Sequence, residues 1–83
     1  MRRDRTDIEA DILNVIGKRG APTGKTAIVY GANLNFYIVK GHLRRMVEKG
    51  LLFMEEKNGR ELYMVTEKAP LFIAGYSAMR MIG

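Results

Sequence analysis

Residues 25–52 read KTAIVYGANLNFYIVKGHLRRMVEKGLL, and the order of apolar, capping and turn residues in this stretch decides the fold. Gly31 is placed to take the left-handed conformation that stops a short helix, and Asn35 is a strong cap for the next one. Leu34 precedes that cap and Val39 is the fourth helical residue after it, the spacing of a hydrophobic staple that fixes the angle of chain entry. At the far end Gly50 closes the second helix, and Leu51 folds back on Met46 as in a Schellman cap. Two helices joined by a sharp turn make a helix-turn-helix, with the second helix and its caps over 35–49.

Past Gly50 the apolar period changes from helical to extended. LLFMEE (51–56) and ELYMVT (61–66) flank KNGR (57–60), and Asn58-Gly59 is the strongest short signal for a two-residue hairpin. Pairing across that turn sets Lys57 opposite Arg60, Met54 opposite Tyr63 and Leu52 opposite Val65. A hairpin directly after a helix-turn-helix is a wing, so the fold class expected is α+β, mainly α: a winged helix-turn-helix of three helices, a two-stranded wing and a C-terminal helix. Phe53 and Met64 fall on the sheet face opposite to Leu52 and Met54, which asks for a further element to cover them.

The last segment, TEKAPLFIAGYSAMRMIG (66–83), supplies a candidate. Thr66 can cap a helix and Pro70 is tolerated in its first turn. From Ala69 onward only Arg80 is charged, and the apolar residues cover more than one stripe, more than one core face can hide. The expectation is a C-terminal helix whose Leu71, Phe72, Ile73, Tyr76, Met79 and Ile82 form a two-fold dimer surface. A membrane-surface helix would need a lysine-rich polar face that is missing here. Contact with a different protein is the remaining alternative.

Upstream, a first helix is expected from about Asp7 to Lys18. Thr6 and Glu9 have capping-box spacing, Ile8, Ile12, Val15 and Ile16 share one face, and Asp7, Glu9 and Asp11 suit the positive end of the helix dipole. Residues 1–5 read as a flexible basic arm. Between the helices, KRGAPTGKT (18–26) imitates a phosphate-binding loop, but Gly20 and Gly24 enclose three residues where the Walker pattern needs four, and no apolar strand precedes it. The structural reading is that Thr23 or a neighbour starts the short second helix, with Lys25 and Thr26 in its first turn and available to a phosphate.

At 83 residues with 47% hydrophobic content the chain has room for one domain, 1–83, with one core. It contains no cysteine and one histidine, which excludes a disulfide framework, a thiolate nucleophile and a histidine-rich metal site. No apolar run reaches membrane-spanning length and no signal-peptide core is present, so a cytoplasmic location without membrane contact is expected. The net charge of +5 is concentrated: residues 18–49 carry seven basic side chains against Glu48 alone, whereas the flanking segments nearly balance. Positive charge confined to a helix-turn-helix points to a polyanion. No carboxylate pair, activated nucleophile or metal cluster emerges, so no enzyme, cofactor, metal or small-molecule ligand is expected.

The 35–49 helix divides by period. Phe36, Val39, Leu43, Met46 and Val47 should face the core, leaving Tyr37, Ile38, Lys40, Gly41, Arg44, Arg45 and Glu48 as a reading face. Tyr37, Lys40 and Gly41 are base-contact candidates, and Arg44 and Arg45 are candidates for bases or phosphates. Gly41 costs about 1 kcal/mol relative to alanine in a helix, which suggests close approach to a DNA backbone or another helix. His42 reads as a partly buried packing residue with a hydrogen bond. Together with Lys25, Thr26, Asn35 and the wing residues Lys57, Asn58 and Arg60, these make up the expected duplex-DNA surface.

The sequence also resembles a family of small archaeal winged-helix proteins, which includes dimeric DNA-binding chromatin proteins and presumed transcription regulators. The resemblance rests on Lys25, Thr26, Ile28, Tyr30, Ala32, Asn33, Leu34 and Phe36, then Leu43, Met46, Gly50 and Leu51, then Tyr63, Thr66 and Lys68. It implies DNA binding through the third helix and wing, nucleoid association, and a homodimer through the C-terminal helix. The chain departs from chromatin members in its apolar, almost uncharged tail and in Ala69-Pro70 after Lys68. The alternative is a winged-helix protein-interaction module whose basic face is incidental, with Ile38 as part of the contact.

Overall fold

The computed structural model describes residues 4–70, which form α1 (Arg5–Arg19), β1 (Thr23–Gly24), α2 (Lys25–Ala32), α3 (Phe36–Glu48), β2 (Leu52–Lys57) and β3 (Arg60–Val65). The strands make one antiparallel sheet in the order β1-β3-β2. The three helices and the wing are those expected, and β1 is an addition. Leu71, Phe72, Ile73, Tyr76, Met79 and Ile82, expected to form a C-terminal dimer surface, lie outside the described residues.

Helix α1 begins two residues earlier than its sequence suggested, and on a different cap. Asp7 N–H donates to Asp4 Oδ1 (2.9 Å) while Asp4 N–H donates to Asp7 Oδ2 (3.2 Å), a reciprocal capping box built by Asp4 and Asp7 rather than Thr6 and Glu9. Asp4 and Arg5, placed in the arm by the sequence, are thereby the cap and first residue of the helix. Lys18 and Arg19 complement the dipole in the last turn. Glu9 is not a dipole partner but a core residue, 1% exposed.

The second helix ends at Asn33, not Gly31. Asn33 holds φ 55°, its N–H reaches Tyr30 O, and Leu34 N–H reaches Val29 O (3.1 Å), both bonds of a Schellman cap. Gly31 has another purpose: a Cβ there would lie 2.7 Å from Val15 Cγ1, so the missing side chain lets α2 lie against α1. Asn35 caps α3 as expected, its Oδ1 accepting from Ile38 N–H at 2.8 Å. Leu51 N–H to Met46 O (2.9 Å) and Gly50 N–H to Val47 O (3.0 Å) close α3 around Gly50, whose φ of 79° demands glycine.

The hairpin has the expected register, Lys57 with Arg60, Met54 with Tyr63 and Leu52 with Val65. Asn58 and Gly59, both with positive φ, form the tight turn. Thr23 pairs with Tyr63 and Gly24 with Leu62, so the imitation phosphate loop is a short strand followed by the start of α2. Thr23 is buried and its hydroxyl donates to Ala21 O. Thr66 accepts from Lys68 N–H, and helical geometry begins at residues 69–70.

The core lies between the helices and the inner sheet face: Ile12, Leu13 and Ile16 of α1, Ile28 and Ala32 of α2, Val39, Leu43 and Met46 of α3, and Leu51, Leu52 and Tyr63, with Ala69 closing one side. Phe36, expected inside, is 53% exposed. It is the first residue of α3, one turn before buried Val39 and two before buried Leu43. Phe53 on the outer sheet face is also open to solvent.

Candidate nucleic-acid interface

The capped turn before α3 and the glycine after it hold this helix along the edge of the sheet, so its outward arc runs beside the wing. Tyr37, Lys40, Gly41, Arg44 and Arg45 are all exposed on that arc, Tyr37 to 87%. The arc has two sides. Lys40 and Arg44 join Lys25, Val47, Glu48, Met54, Glu61 and Tyr63 around a groove of about 330 Å³ between α3 and the wing. Tyr37, Ile38, Gly41, His42 and Arg45 line a second depression, of about 240 Å³. Neighbouring arginines therefore serve different surfaces, a split that helical period alone does not reveal.

Carboxylates temper the groove. Lys25 Nζ lies 2.6 Å from Glu61 Oε1, so the lysine expected to be free for a phosphate is held by the wing. Its pKa is raised, chiefly by that hydrogen bond and against the opposing effect of burial. Arg44 Nε lies 3.8 Å from Glu48 Oε1 in an exposed i,i+4 pair, a weak contact in water. Among the described residues Lys40, Arg45, Lys57 and Arg60 form no ion pair. The Arg60 guanidinium turns back over β1, where a Cβ on Gly24 would meet its Nη2 at 3.3 Å. Arg60 is thus brought beside the start of α2, while Lys57 and Asn58 stay exposed at the wing tip and Thr26 in the first turn of α2.

One expected role is kept and one changes. Asn35 spends its side-chain oxygen on the cap of α3, as its sequence position indicates. His42 is partly buried as expected, yet its Nδ1 is buried without the hydrogen bond anticipated. Burial holds its pKa below the usual histidine value; Arg45, Arg5 and Lys49 act in the same direction and Glu9 opposes them. Beneath it, Lys49 Nζ lies 3.3 Å from Glu9 Oε1, joining α1 to the end of α3, while Glu9 Oε2 is buried without a partner. Nothing along the chain signals this pair, because Glu9 matches a local helix-start pattern.

A Cβ on Gly41 would meet nothing within 4 Å, so no helix among the described residues explains this glycine. Among the described residues no cluster of three His, Asp or Glu side chains could hold a metal ion, and no helix is long and apolar enough to cross a membrane.

The sequence profile of the winged helix-turn-helix family matches residues 2–82. No curated protein sequence matches the chain significantly. Among solved structures, the chain is similar to Sso10a-2, a DNA-binding protein from Sulfolobus solfataricus, with 29% identity and a TM-score of 0.86 over 96% of this chain and 81% of that one. A homodimeric winged helix-turn-helix DNA-binding domain from Mycobacterium bovis shares 17% identity, with a TM-score of 0.70 over 88% of this chain and 68% of that one. MepR, a transcription regulator of a Staphylococcus aureus multidrug efflux pump, shares 12% identity, with a TM-score of 0.73 over 88% of this chain and 56% of that one. At these last two identities the likeness is one of fold.

Proposed function

Since the chain belongs to the winged helix-turn-helix family, we propose that it is a non-catalytic, duplex-DNA-binding protein, a transcriptional regulator or DNA-coating protein of the cytoplasm and nucleoid. The observation that carries this reading is the exposed arc of Tyr37, Lys40, Gly41, Arg44 and Arg45 on α3, lying beside a wing whose tip presents Lys57 and Asn58 and whose Arg60 turns back toward the start of α2. Lys40, Arg45, Lys57 and Arg60, lacking carboxylate partners among the described residues, are the phosphate contacts, with Lys25 and Arg44 joining once their acidic partners are displaced. Tyr37 and Lys40, near the start of α3, face the base edges, and Thr26 lies at the start of α2 where a phosphate meets backbone amides. The DNA-binding relative with 29% identity supports the same reading. The apolar side chains of residues 71–82 would join two copies, so that paired recognition helices meet paired half-sites.

The test is a salt titration of binding to random-sequence duplex DNA, with oligomeric state measured in the same buffers. Binding whose logarithm falls steeply with the logarithm of salt is expected; no binding at low salt by folded protein overturns the reading. Exposed Phe36 and Ile38 favour one alternative, a protein-interaction module, and that reading takes over if DNA fails to bind.

A further inference from the structure

Three features of the groove between α3 and the wing exceed what a phosphate contact requires. Its cations are not only at the rim: Lys25 is half-buried, and the group already bound to it, 2.6 Å away, is a carboxylate. Its lining also includes an apolar wall made by Val47, Met54 and Tyr63. Within that wall Met54 is 39% exposed, an unbranched and polarizable side chain open to solvent in a groove of about 330 Å³. A DNA phosphate would touch the cation tips and leave this wall unused. Three cations, Lys25, Lys40 and Arg44, face two carboxylates, Glu48 and Glu61, so the groove has one positive charge in excess.

We propose that this groove binds a small amphipathic carboxylate, a flat apolar ring system bearing one carboxylate, and that its occupancy excludes DNA from the wing side of α3. The ligand's carboxylate takes the place of the Glu61 carboxylate on Lys25 and draws in Lys40, and its ring system lies on Met54 and Val47. Sites for small ligands commonly pair an apolar wall with a few converging polar groups, and a volume of about 300 Å³ is the low end of their range. The thioether of Met54 can shift to fit the ring. Exclusion of DNA follows because the ligand occupies Lys25 and Lys40 and cancels the groove's one excess positive charge, and this part of the inference rests on the DNA-binding reading above.

The probe is naphthoate, added to the full chain with carbon-labelled methionine methyl groups observed by NMR; inorganic phosphate, acetate and uncharged naphthalenemethanol are run as separate arms. The expected result is saturable movement of the Met54 methyl with naphthoate, and markedly less with each control. Glu61→Gln removes the internal competitor and should tighten naphthoate binding about threefold, the scale of one partly exposed ion pair. Met54→Ala should weaken it. An unmoved Met54 methyl, or equal movement with phosphate or acetate alone, overturns the proposal. Duplex DNA is titrated separately: naphthoate binding without DNA binding would sink the DNA reading and leave the ligand site standing. If DNA binds but naphthoate at saturation does not displace it, the claim of exclusion fails.

Discussion

Lys25 Nζ and Glu61 Oε1, 2.6 Å apart, tie the first residue of α2 to the central strand of the sheet, across a separation of 36 residues. Both side chains are partly solvated, so the pair is worth less than its length suggests. Glu61→Gln should cost about 0.5 kcal/mol of stability. Because folding raises the Lys25 pKa above 10.5, this contribution is complete below that value and disappears as pH rises through the raised one. Urea midpoints for the wild type and variant should differ at neutral pH and converge in strong alkali.

Two glycines on successive helices make opposite predictions. Gly31→Ala places its Cβ 2.7 Å from Val15 Cγ1, and overpacking of about 1–3 kcal/mol outweighs the gain in helix propensity. Gly41→Ala meets nothing and should stabilise by about 1 kcal/mol while weakening DNA binding, if close approach of the backbone is its purpose. Thermal melts and binding isotherms check both. A Gly41→Ala protein that binds as well as the wild type would remove that position from the interface.

Arg44 and Arg45 line different depressions on either side of α3. If α3 lies within the major groove, each alanine substitution should lower the slope of log affinity against log salt by about one, and the pair by about two. An unchanged slope for Arg45→Ala alone would place only the wing side of the helix on DNA.

Burial holds His42 below its usual value of 6.5, so between that lowered value and 6.5 the unfolded chain binds more protons than the folded one. Stability therefore falls as pH drops through this window. His42→Gln should flatten the dependence, measured as urea midpoints on either side of 6.5.

Glu9 is buried with one oxygen unpartnered. Glu9→Met should be neutral or stabilise by about 1 kcal/mol, because an apolar side chain escapes the desolvation cost. Lys49→Met leaves the carboxylate buried alone and should destabilise by about 2 kcal/mol or more. Comparable losses in the two variants would mean that the ion pair outweighs its desolvation.

Local chemistry was legible where one capping or turn residue stood alone, but not where neighbours competed, as at Thr6 against Asp4 and Gly31 against Asn33, and distant pairing was not legible at all. The cap at Asn35, the Schellman turn at Gly50 and the wing register each depend on a few neighbouring residues, and each stands as read. Strand β1 is two residues long, and nothing near Thr23 announces pairing with Tyr63. Glu9 and Lys49 are 40 residues apart, so a carboxylate near a helix start passed for a dipole partner. Phe36 fitted the apolar period of α3, but period gives a direction and not whether anything lies there. At the interface the basic residues were all visible, whereas the carboxylates that hold Lys25 and Arg44 emerged only with the packing.

Strand β1 also makes a mechanical linkage. Gly24, hydrogen-bonded into the sheet opposite Leu62, is covalently joined to the first residue of α2, and the chain then passes through α2 into α3. A push on the wing tip is thus delivered to the recognition helix through a short, doubly connected frame. If α3 reads a duplex as proposed, bending that duplex toward the wing would pull on α3 through this frame.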